Sequence, residues 1–280
     1  MAEYSHSKIP IALTIAGSDS GGGAGIQADL RTFAFHRVHG TSAITCVTAQ
    51  NTLGVNRVDL LSPDAVVAQI EAVATDIGID AAKTGMLSNS EMIIAVSRII
   101  KGLTGLPVVV DPVMVSRTGA QLIDDRAVKT LREVLIPQAA IVTPNRYEAQ
   151  ILSGMEIHDL EEMRSAAKRI YDLGAAAVLV KGGGMGGKLC GVDVWYDGDR
   201  CETLATETID TPHTHGTGCT LSAAIAANLA LDRDLLDSVK RAKQYLTQAL
   251  KHSLAIGGGQ GPVGHFYPLI EANPAERDSN

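Results

Sequence analysis

The sequence predicts an α/β fold in which helices cover both faces of a mostly parallel sheet. Short apolar runs alternate with longer segments in which apolar residues recur three or four positions apart. The runs are continuously apolar, as expected for strands buried on both faces, and such strands are joined by right-handed crossovers. With 280 residues, 45% of them hydrophobic, the chain can bury a large core, and we expect one domain.

Six apolar runs predict the buried strands of this sheet, and six segments of helical period predict the helices between them. The strands are predicted over Ile9–Ala16, Ala43–Ala49, Ile79–Lys83, Pro107–Asp111, Ala139–Thr143 and Ala176–Lys181. The helices are predicted over Ala24–Phe35, Asp64–Ile77, Ser90–Lys101, Asp124–Leu135, Asn145–Leu152 and Asp159–Leu173.

The alternation changes once, in the last third of the chain. Val192–Tyr196 and Cys201–Ala205 flank an Asp-Gly-Asp turn, which predicts an antiparallel hairpin that extends the sheet. Two further helices are predicted, over Thr217–Leu231 and Leu235–Leu254. No linker, repeat or charge block divides the chain, so we expect an ordered core over about 9–268 and a disordered tail after about Glu271.

Composition excludes several function classes. The net charge is −7, from 24 basic and 31 acidic residues, and no basic run suits a nucleic-acid partner. No signal peptide pattern and no long apolar span occur, so we expect neither secretion nor a membrane partner. The four cysteines lack metal or disulfide spacing and indicate reduced thiols in the cytoplasm.

A Gly-rich turn, residues 215–219, leads into the Ala-rich helix predicted from Thr217. Gly216 and Gly218 would let a ligand approach the backbone, and the first N–H groups of a helix bind anions such as phosphate. Cys219 lies in the same turn, where a helix N-terminus is expected to lower the thiol pKa. The alternative is a tight packing turn with a buried cysteine.

The loop after the first strand, residues 17–25, is also rich in glycine. It lacks the Lys-Ser/Thr of a P-loop. It fits the Gly-rich dinucleotide pattern, but no acid occurs between Asp29 and Asp59 to hold a ribose. A small polar substrate held by Asp19 is the favoured interpretation, and a glycine turn capped by Asp19 is the alternative.

Ligands of open α/β sheets bind beyond the carboxyl ends of the strands, and polar residues follow several predicted strands. The Gln50 amide suits a flat ring that carries an amino group, Asp111 suits magnesium, and Lys181 suits a phosphate. Asn145 and Glu148 fit either a helix cap or a metal site. The alternative for Gln50 is a surface turn residue, and the alternative for Lys181 is a lysine that extends its ammonium group to solvent.

Two other chemistries lack support. His213, His215 and Cys219 have no fourth ligand nearby for a closed zinc site, and no nucleophile elbow marks a serine hydrolase. An anion turn, a thiol, a carboxylate, a lysine and a ring-binding amide together favour phosphoryl transfer.

Six ordered motifs resemble the hydroxymethylpyrimidine and phosphomethylpyrimidine kinases of thiamine biosynthesis, a family of the ribokinase-like superfamily. They are AGSDSGGGAGIQADL, VTAQNT, VVVDPVM, TPNRYE, VLVKGGG and THGTGCTLSAAIA, and the resemblance runs from about Ile9 to Tyr267. It implies a three-layer α/β/α fold, ATP and Mg²⁺ as cofactors, a pyrimidine alcohol and its monophosphate as substrates, and a homodimer. The alternatives are a vitamin B6 (pyridoxal or pyridoxine) kinase and a non-catalytic nucleotide or pyrimidine sensor.

The resemblance also implies site residues. It makes Cys219 the base that accepts the substrate's hydroxyl proton and residues 216–219 the anion hole, that is Gly216, Thr217, Gly218 and Cys219. It assigns the pyrimidine pocket to Asp19, Ala24, Gln50, Met86, Val113 and Cys219. It assigns the magnesium and water network to Asp111, Glu148 and Asn145, and ATP contacts to Lys181, Asn145 and Thr214. The chain departs from relatives at Gly184 and His213, which puts details of the ATP contacts in doubt.

Overall fold

The computed structural model describes residues 8–114, 123–183, 185 and 187–272. The strands within these ranges are β1 (Ile11–Asp19), β2 (His39–Gln50), β3 (Val55–Leu60), β4 (Ala81–Thr84), β5 (Val108–Val110), β6 (Ile141–Val142), β7 (Val178–Val180), β8 (Val192–Tyr196) and β9 (Cys201–Ala205). They form one sheet in the order β3-β2-β1-β4-β5-β6-β7-β8-β9. Pairing is parallel from β2 through β7, and β3, β8 and β9 are antiparallel. The predicted mostly parallel sheet and its hairpin are therefore confirmed.

Helices cover both faces of this sheet. The α-helices are α1 (Gly25–Phe35), α2 (Pro63–Asp76), α3 (Ser90–Gly102), α4 (Asp125–Thr130), α5 (Arg146–Ser153), α6 (Leu160–Tyr171), α7 (Thr217–Ala230), α8 (Leu235–Lys251) and α9 (Tyr267–Ala272). One buried apolar cluster joins the sheet to α2–α6, and a second joins it to α1, α7 and α8. Alternate residues of β1 enter different clusters, Leu13 the first and Ala12 the second, because strand side chains alternate between faces. The result is a three-layer α/β/α arrangement.

Strand β3 was not predicted from the sequence, and one predicted helix is irregular. All six residues of β3 are exposed, so this edge strand carries no buried apolar pattern. The helix predicted over Asp124–Leu135 is α4 followed by a wider π-helical turn over Leu131–Leu135 and a 3₁₀ turn over Ile136–Gln138. Pro137 lies in that last turn, where its missing N–H prevents regular continuation.

The carboxyl ends of the parallel strands meet at one edge of the sheet. There β1 ends at Asp19 and β2 at Gln50, while Gly85, Asp111 and Lys181 follow β4, β5 and β7. Strands that run in one direction bring such residues together although they are far apart in sequence. This edge is where the sequence predicts the ligand.

No helix in the described ranges is long and apolar enough to span a membrane. The tail prediction concerns mainly residues outside those ranges, since α9 extends to Ala272. Gly184, one of the two departures from the family pattern, lies outside them as well.

Candidate active site

The Gly-rich turn lies at the N-terminus of α7 and packs against the first Gly-rich loop. Gly216 precedes the helix with φ +82°, and a Cβ there would lie 1.8 Å from the carbonyl oxygen of Gly23. Only glycine combines this backbone conformation with so close an approach. The Thr217 N–H donates to the Thr214 carbonyl at 3.4 Å, whereas the N–H groups of Gly218 and Cys219 at the start of the helix are suited to an anion.

Lys181 and Asp111 border this turn. A Cβ on Gly218 would lie 3.4 Å from Lys181 Nζ and 3.7 Å from Asp111 Oδ2. Lys181 Nζ donates to Asp111 Oδ1 at 3.0 Å, and the Ser222 hydroxyl donates to Asp111 Oδ2 at 3.2 Å. Burial alone would raise the pKa of Asp111, but Lys181 and then Lys83 hold that pKa below its usual value. A carboxylate and a cation therefore face the N-terminus of α7.

Asn145 and Glu148 form the helix cap that the sequence left as one of two alternatives. The Asn145 N–H donates to Glu148 Oε2 at 2.8 Å, and the Glu148 N–H donates to Asn145 Oδ1 at 3.0 Å. This capping box begins α5 beside Lys181, whose N–H donates to the Pro144 carbonyl at 2.8 Å. Burial raises the pKa of Glu148 from 4.5 to about 7, opposed by Lys181 and reinforced by Asp111.

The raised pKa of Glu148 predicts a pH-dependent stability. A carboxyl group that is harder to ionise when folded stabilises the protein below pH 4.5, and this contribution is lost as the pH rises to about 7. We expect Glu148→Gln, which keeps the capping oxygen, to abolish that loss. At about pH 8 its free energy of unfolding should exceed that of wild type by about 1–3 kcal/mol.

Urea denaturation at about pH 5 and about pH 8 measures this effect. Glu162→Gln is the matched control, since Glu162 holds the same capping-box position at the start of α6. We expect that variant to keep the wild-type difference between the two pH values. Equal pH dependence in wild type and Glu148→Gln would contradict the prediction.

The pKa of the Cys219 thiol differs from the sequence prediction. The thiol was expected to have a lowered pKa at the helix N-terminus, but burial raises its pKa to about 11, with Lys83 the largest opposing influence. The low dielectric around the sulfur penalises the thiolate more than the helix end favours it. Cys219 is therefore a thiol at neutral pH in this structure.

The predicted substrate residues lie at the same edge, and two of them also build the loop. Asp19 accepts N–H bonds from Gly21, Gly23 and Ala24 at 2.8, 3.1 and 2.9 Å, so the capping alternative for Asp19 is present in the structure. Gln50 closes β2, and its side chain is half-buried. Met86 and Val113 are half-buried just beyond β4 and β5.

The remaining predicted residues have local contacts. The Thr214 carbonyl accepts the Thr217 N–H at 3.4 Å, which ties it to the first turn of α7. His213 Nδ1 accepts the Gly261 N–H at 3.0 Å, so this departure from the family pattern holds a neighbouring loop.

Sequence reasoning missed two charged or polar contacts at the site. Lys83 is fully buried and donates to Asp29 Oδ2 at 2.9 Å, and Asp29 raises the Lys83 pKa against the effect of burial. His215 Nε2 lies 2.9 Å from Asp19 Oδ2 and 3.3 Å from Gln50 Nε2. A lysine inside an apolar strand and a histidine beside the Gly-rich turn were the available signals.

The donor set suits magnesium only in combination with a phosphate ligand. Among the described residues, no three His, Cys, Asp or Glu side chains cluster as a metal site. Asp111 and Glu148 are two carboxylates, and Mg²⁺ is commonly held by one or two carboxylates together with substrate phosphates and water. The residues present therefore fit magnesium that enters with a nucleotide.

Comparison with known proteins finds phosphomethylpyrimidine kinases by sequence and a pyridoxal kinase among the similar structures. The family model described as phosphomethylpyrimidine kinase matches residues 19–264. A hydroxymethylpyrimidine/phosphomethylpyrimidine kinase of Synechococcus elongatus is 62% identical over 262 residues, which cover 94% of this chain and 99% of that protein. A chloroplastic thiamine biosynthetic bifunctional enzyme of Arabidopsis thaliana is 46% identical over 279 residues, covering 97% of this chain and 53% of that enzyme. The crystal structure of an ADP complex of Bacillus subtilis pyridoxal kinase has a TM-score of 0.87 at 41% identity, covering 94% of this chain and 99% of that one.

Proposed function

The chain belongs to the phosphomethylpyrimidine kinase family, and on that premise we propose that it is an ATP-dependent kinase of 4-amino-5-hydroxymethyl-2-methylpyrimidine and of its monophosphate in thiamine biosynthesis. The observation that carries the proposal is the meeting of the α7 turn, Lys181 and Asp111 at the sheet edge that also holds Gln50. These groups supply an anion site, a cation, a carboxylate and a ring-binding amide.

In the first reaction the hydroxymethyl oxygen attacks the γ-phosphorus of ATP. A bond forms between that oxygen and phosphorus, the bond to the β,γ-bridging oxygen breaks, and ADP leaves. The N–H groups of residues 216–219 and the Lys181 ammonium stabilise the negative charge on the transferring phosphoryl group. Asp111 and Glu148 would hold Mg²⁺, which neutralises phosphate charge when bound.

The hydroxyl loses its proton in this reaction, and we assign the acceptor as the Cys219 thiolate. The thiol pKa of about 11 makes the thiolate a minor species at neutral pH, so the first phosphorylation should accelerate as the pH rises toward that value. In the second reaction the acceptor is a phosphate, which is already an anion at neutral pH. That step needs no base, and its rate should be nearly independent of Cys219.

The substrate ring is held at the other side of the site. The Gln50 amide offers a donor and an acceptor side by side, which matches the amino group and ring nitrogen of an aminopyrimidine. A pyridoxal kinase remains the second candidate, because a protein with that activity has a closely similar fold.

The direct test is a coupled assay of the purified protein with MgATP and the pyrimidine alcohol, followed by product masses. We expect the mass of one added phosphate first and of two later. Turnover of pyridoxal without turnover of the pyrimidine would overturn the assignment, and failure to transfer phosphate to either ring would revive a non-catalytic sensor.

We further propose a single-domain, cytoplasmic homodimer. All four cysteines are free thiols, which suits a reducing compartment. The edge formed by β2, β3 and the turn between them exposes a set of large apolar residues, namely Val47, Leu53, Val55, Val58 and Leu60. Exposed apolar patches on an unpaired strand edge are typical of protein interfaces.

This interface predicts the effect of a charge on β3. Leu60 is 53% exposed, and Leu60→Asp would place a carboxylate among apolar partners and dissociate the dimer. Sedimentation equilibrium measures the mass of wild type and variant at equal concentration. Leu269→Asp is the control, since Leu269 is 63% exposed on α9. A wild-type monomer, or an unchanged dimer in Leu60→Asp, would contradict the proposed interface.

A further inference from the structure

His215 joins three parts of the substrate side of the site. Its Nε2 atom lies 2.9 Å from Asp19 Oδ2 in the first Gly-rich loop and 3.3 Å from Gln50 Nε2 at the end of β2. Its ring packs against Gly23, where a Cβ would lie 2.2 Å from His215 Cδ2. The side chain is 13% exposed and the Asp19 carboxylate 3% exposed, so these contacts are largely shielded from water.

The charge on Asp19 decides which atom carries the proton. Burial alone would raise the pKa of Asp19, but the bond with His215 and the backbone N–H bonds lower it below its usual value. Asp19 is therefore an acceptor, and His215 Nε2 must carry a hydrogen to donate to it. A ring nitrogen that donates to Asp19 cannot also accept a hydrogen from the Gln50 amide nitrogen.

Thr48 imposes the same requirement from the other side of the amide. Its hydroxyl donates to the Ser18 carbonyl at 2.9 Å and lies 3.2 Å from Gln50 Oε1. A hydroxyl has one hydrogen. While the Thr48 hydroxyl donates to the Ser18 carbonyl, it can only accept a hydrogen from the Gln50 amide. Rotating the Gln50 amide by half a turn removes both mismatches. Nε2 then donates to the Thr48 oxygen, and Oε1 faces His215 Nε2, whose one hydrogen it shares with Asp19 in a three-centre bond.

We propose that His215, held by Asp19, is a positioning residue that fixes the Gln50 amide in this orientation and thereby selects rings in which an amino group adjoins a ring nitrogen. The inference rests on the proposed function, because it concerns the same ring pocket. With Oε1 toward His215 and Nε2 toward Thr48, the amide keeps one lone pair and one N–H for the ligand. Those two groups pair with a cyclic amidine edge, as in a 4-aminopyrimidine.

A ring without that edge leaves the fixed amide mismatched. A free amide could rotate to suit a hydroxyl or carbonyl substituent, but a clamped amide leaves buried polar groups unpaired against such a ligand. Sites that discriminate in this way reject the analogue that lacks the bonding group. His215 would then separate aminopyrimidines from related pyridine and pyrimidine alcohols.

The test compares the 4-amino pyrimidine alcohol with its analogue lacking the amino group, in wild type, His215→Phe and His215→Gln. Phenylalanine keeps a ring against Gly23 but cannot bond Asp19 or Gln50, whereas glutamine keeps a donor near the position of Nε2. We expect the preference for the amino compound in kcat/KM to fall about tenfold or more in His215→Phe and to be largely restored in His215→Gln. The KM for MgATP should stay constant.

A merely structural role gives a different result. It would lower kcat/KM for both ring compounds by the same factor and leave the preference unchanged, which would overturn the proposal. Thr48→Val is a second variant, nearly equal in shape, that removes the hydroxyl on the other side of the amide. Thr48→Val should also reduce the preference for the amino compound. A full wild-type preference in this variant would also contradict the proposed fixing of the Gln50 amide. His39→Asn, at the exposed start of β2, is the control.

Calorimetric binding of the two ring compounds separates this inference from the proposed function. If wild type binds the amino compound more tightly but transfers no phosphate to it, the proposed function is wrong and the fixed orientation of the Gln50 amide is supported. If wild type phosphorylates both compounds equally well and binds them equally, the proposed function is supported and the fixed orientation of the amide is overturned.

Discussion

Cys219→Ala is expected to slow the first phosphorylation by about 10²–10⁴-fold, the range that a general base contributes, and to leave the second nearly unchanged. The difference arises because only the first acceptor is a hydroxyl that must lose a proton. Because burial raises the thiol pKa to about 11, the wild-type first step should also accelerate with pH through the neutral and alkaline range. In Cys219→Ala that acceleration should disappear.

Single-turnover rates of the two phosphorylations, measured separately over pH, check this prediction. Cys201→Ala is the matched control, since Cys201 is an exposed thiol on β9, far along the sheet order from β1. Equal slowing of both steps would show that Cys219 acts through the anion hole or the fold. If the wild-type rate of the first phosphorylation does not change with pH, the assignment of the Cys219 thiolate as the base is wrong.

Lys83→Met is expected to destabilise the protein by about 3–5 kcal/mol, the cost of breaking a buried ion pair by removing one partner. Lys83 and Asp29 are both fully buried, with Nζ 2.9 Å from Oδ2, and Thr14 donates its hydroxyl to the same carboxylate. The methionine would fill much of the space but leave Asp29 without its counter-charge. The cost is therefore electrostatic more than steric.

Urea unfolding of wild type, Lys83→Met and Lys83→Met combined with Asp29→Asn measures this cost. The double variant removes the stranded charge and should recover part of the lost stability. Lys240→Met is the control, because the pair of Lys240 with Glu202 is 48% and 36% exposed and such surface pairs contribute about 1 kcal/mol or less. A loss in Lys83→Met no larger than in the control would contradict the importance of the buried pair.

The parts of the fold that the sequence predicts are those in which burial repeats with a regular period. Leu13 and Ile15 in β1 are wholly buried in a continuous apolar run, and α8 keeps its apolar stripe from Leu236 to Ala249. Strand β3 has no buried residue, because it lies at the edge of the sheet and exposes both faces. Its exposed apolar residues belong to the proposed dimer interface, and a pattern of burial within one chain does not detect such residues.

The site was predictable where chemistry follows local sequence. The Asn145–Glu148 capping box depends on a spacing of three residues, and the Gly216 turn depends on a left-handed backbone that favours glycine. The pKa of Cys219 was predicted in the wrong direction because burial is set by the whole tertiary structure. The contact between His215 and Asp19 joins residues 196 positions apart, and no local sequence pattern indicates it.

The central claim is that the clustered residues at the carboxyl edge of the sheet phosphorylate an aminopyrimidine alcohol. A single competition experiment tests it most directly: the purified protein receives MgATP with equal concentrations of 4-amino-5-hydroxymethyl-2-methylpyrimidine and pyridoxal, and the products are resolved by mass. We predict that the pyrimidine monophosphate and then the diphosphate accumulate well before any pyridoxal phosphate. Pyridoxal phosphate as the main product, with the pyrimidine left unchanged, would contradict the claim.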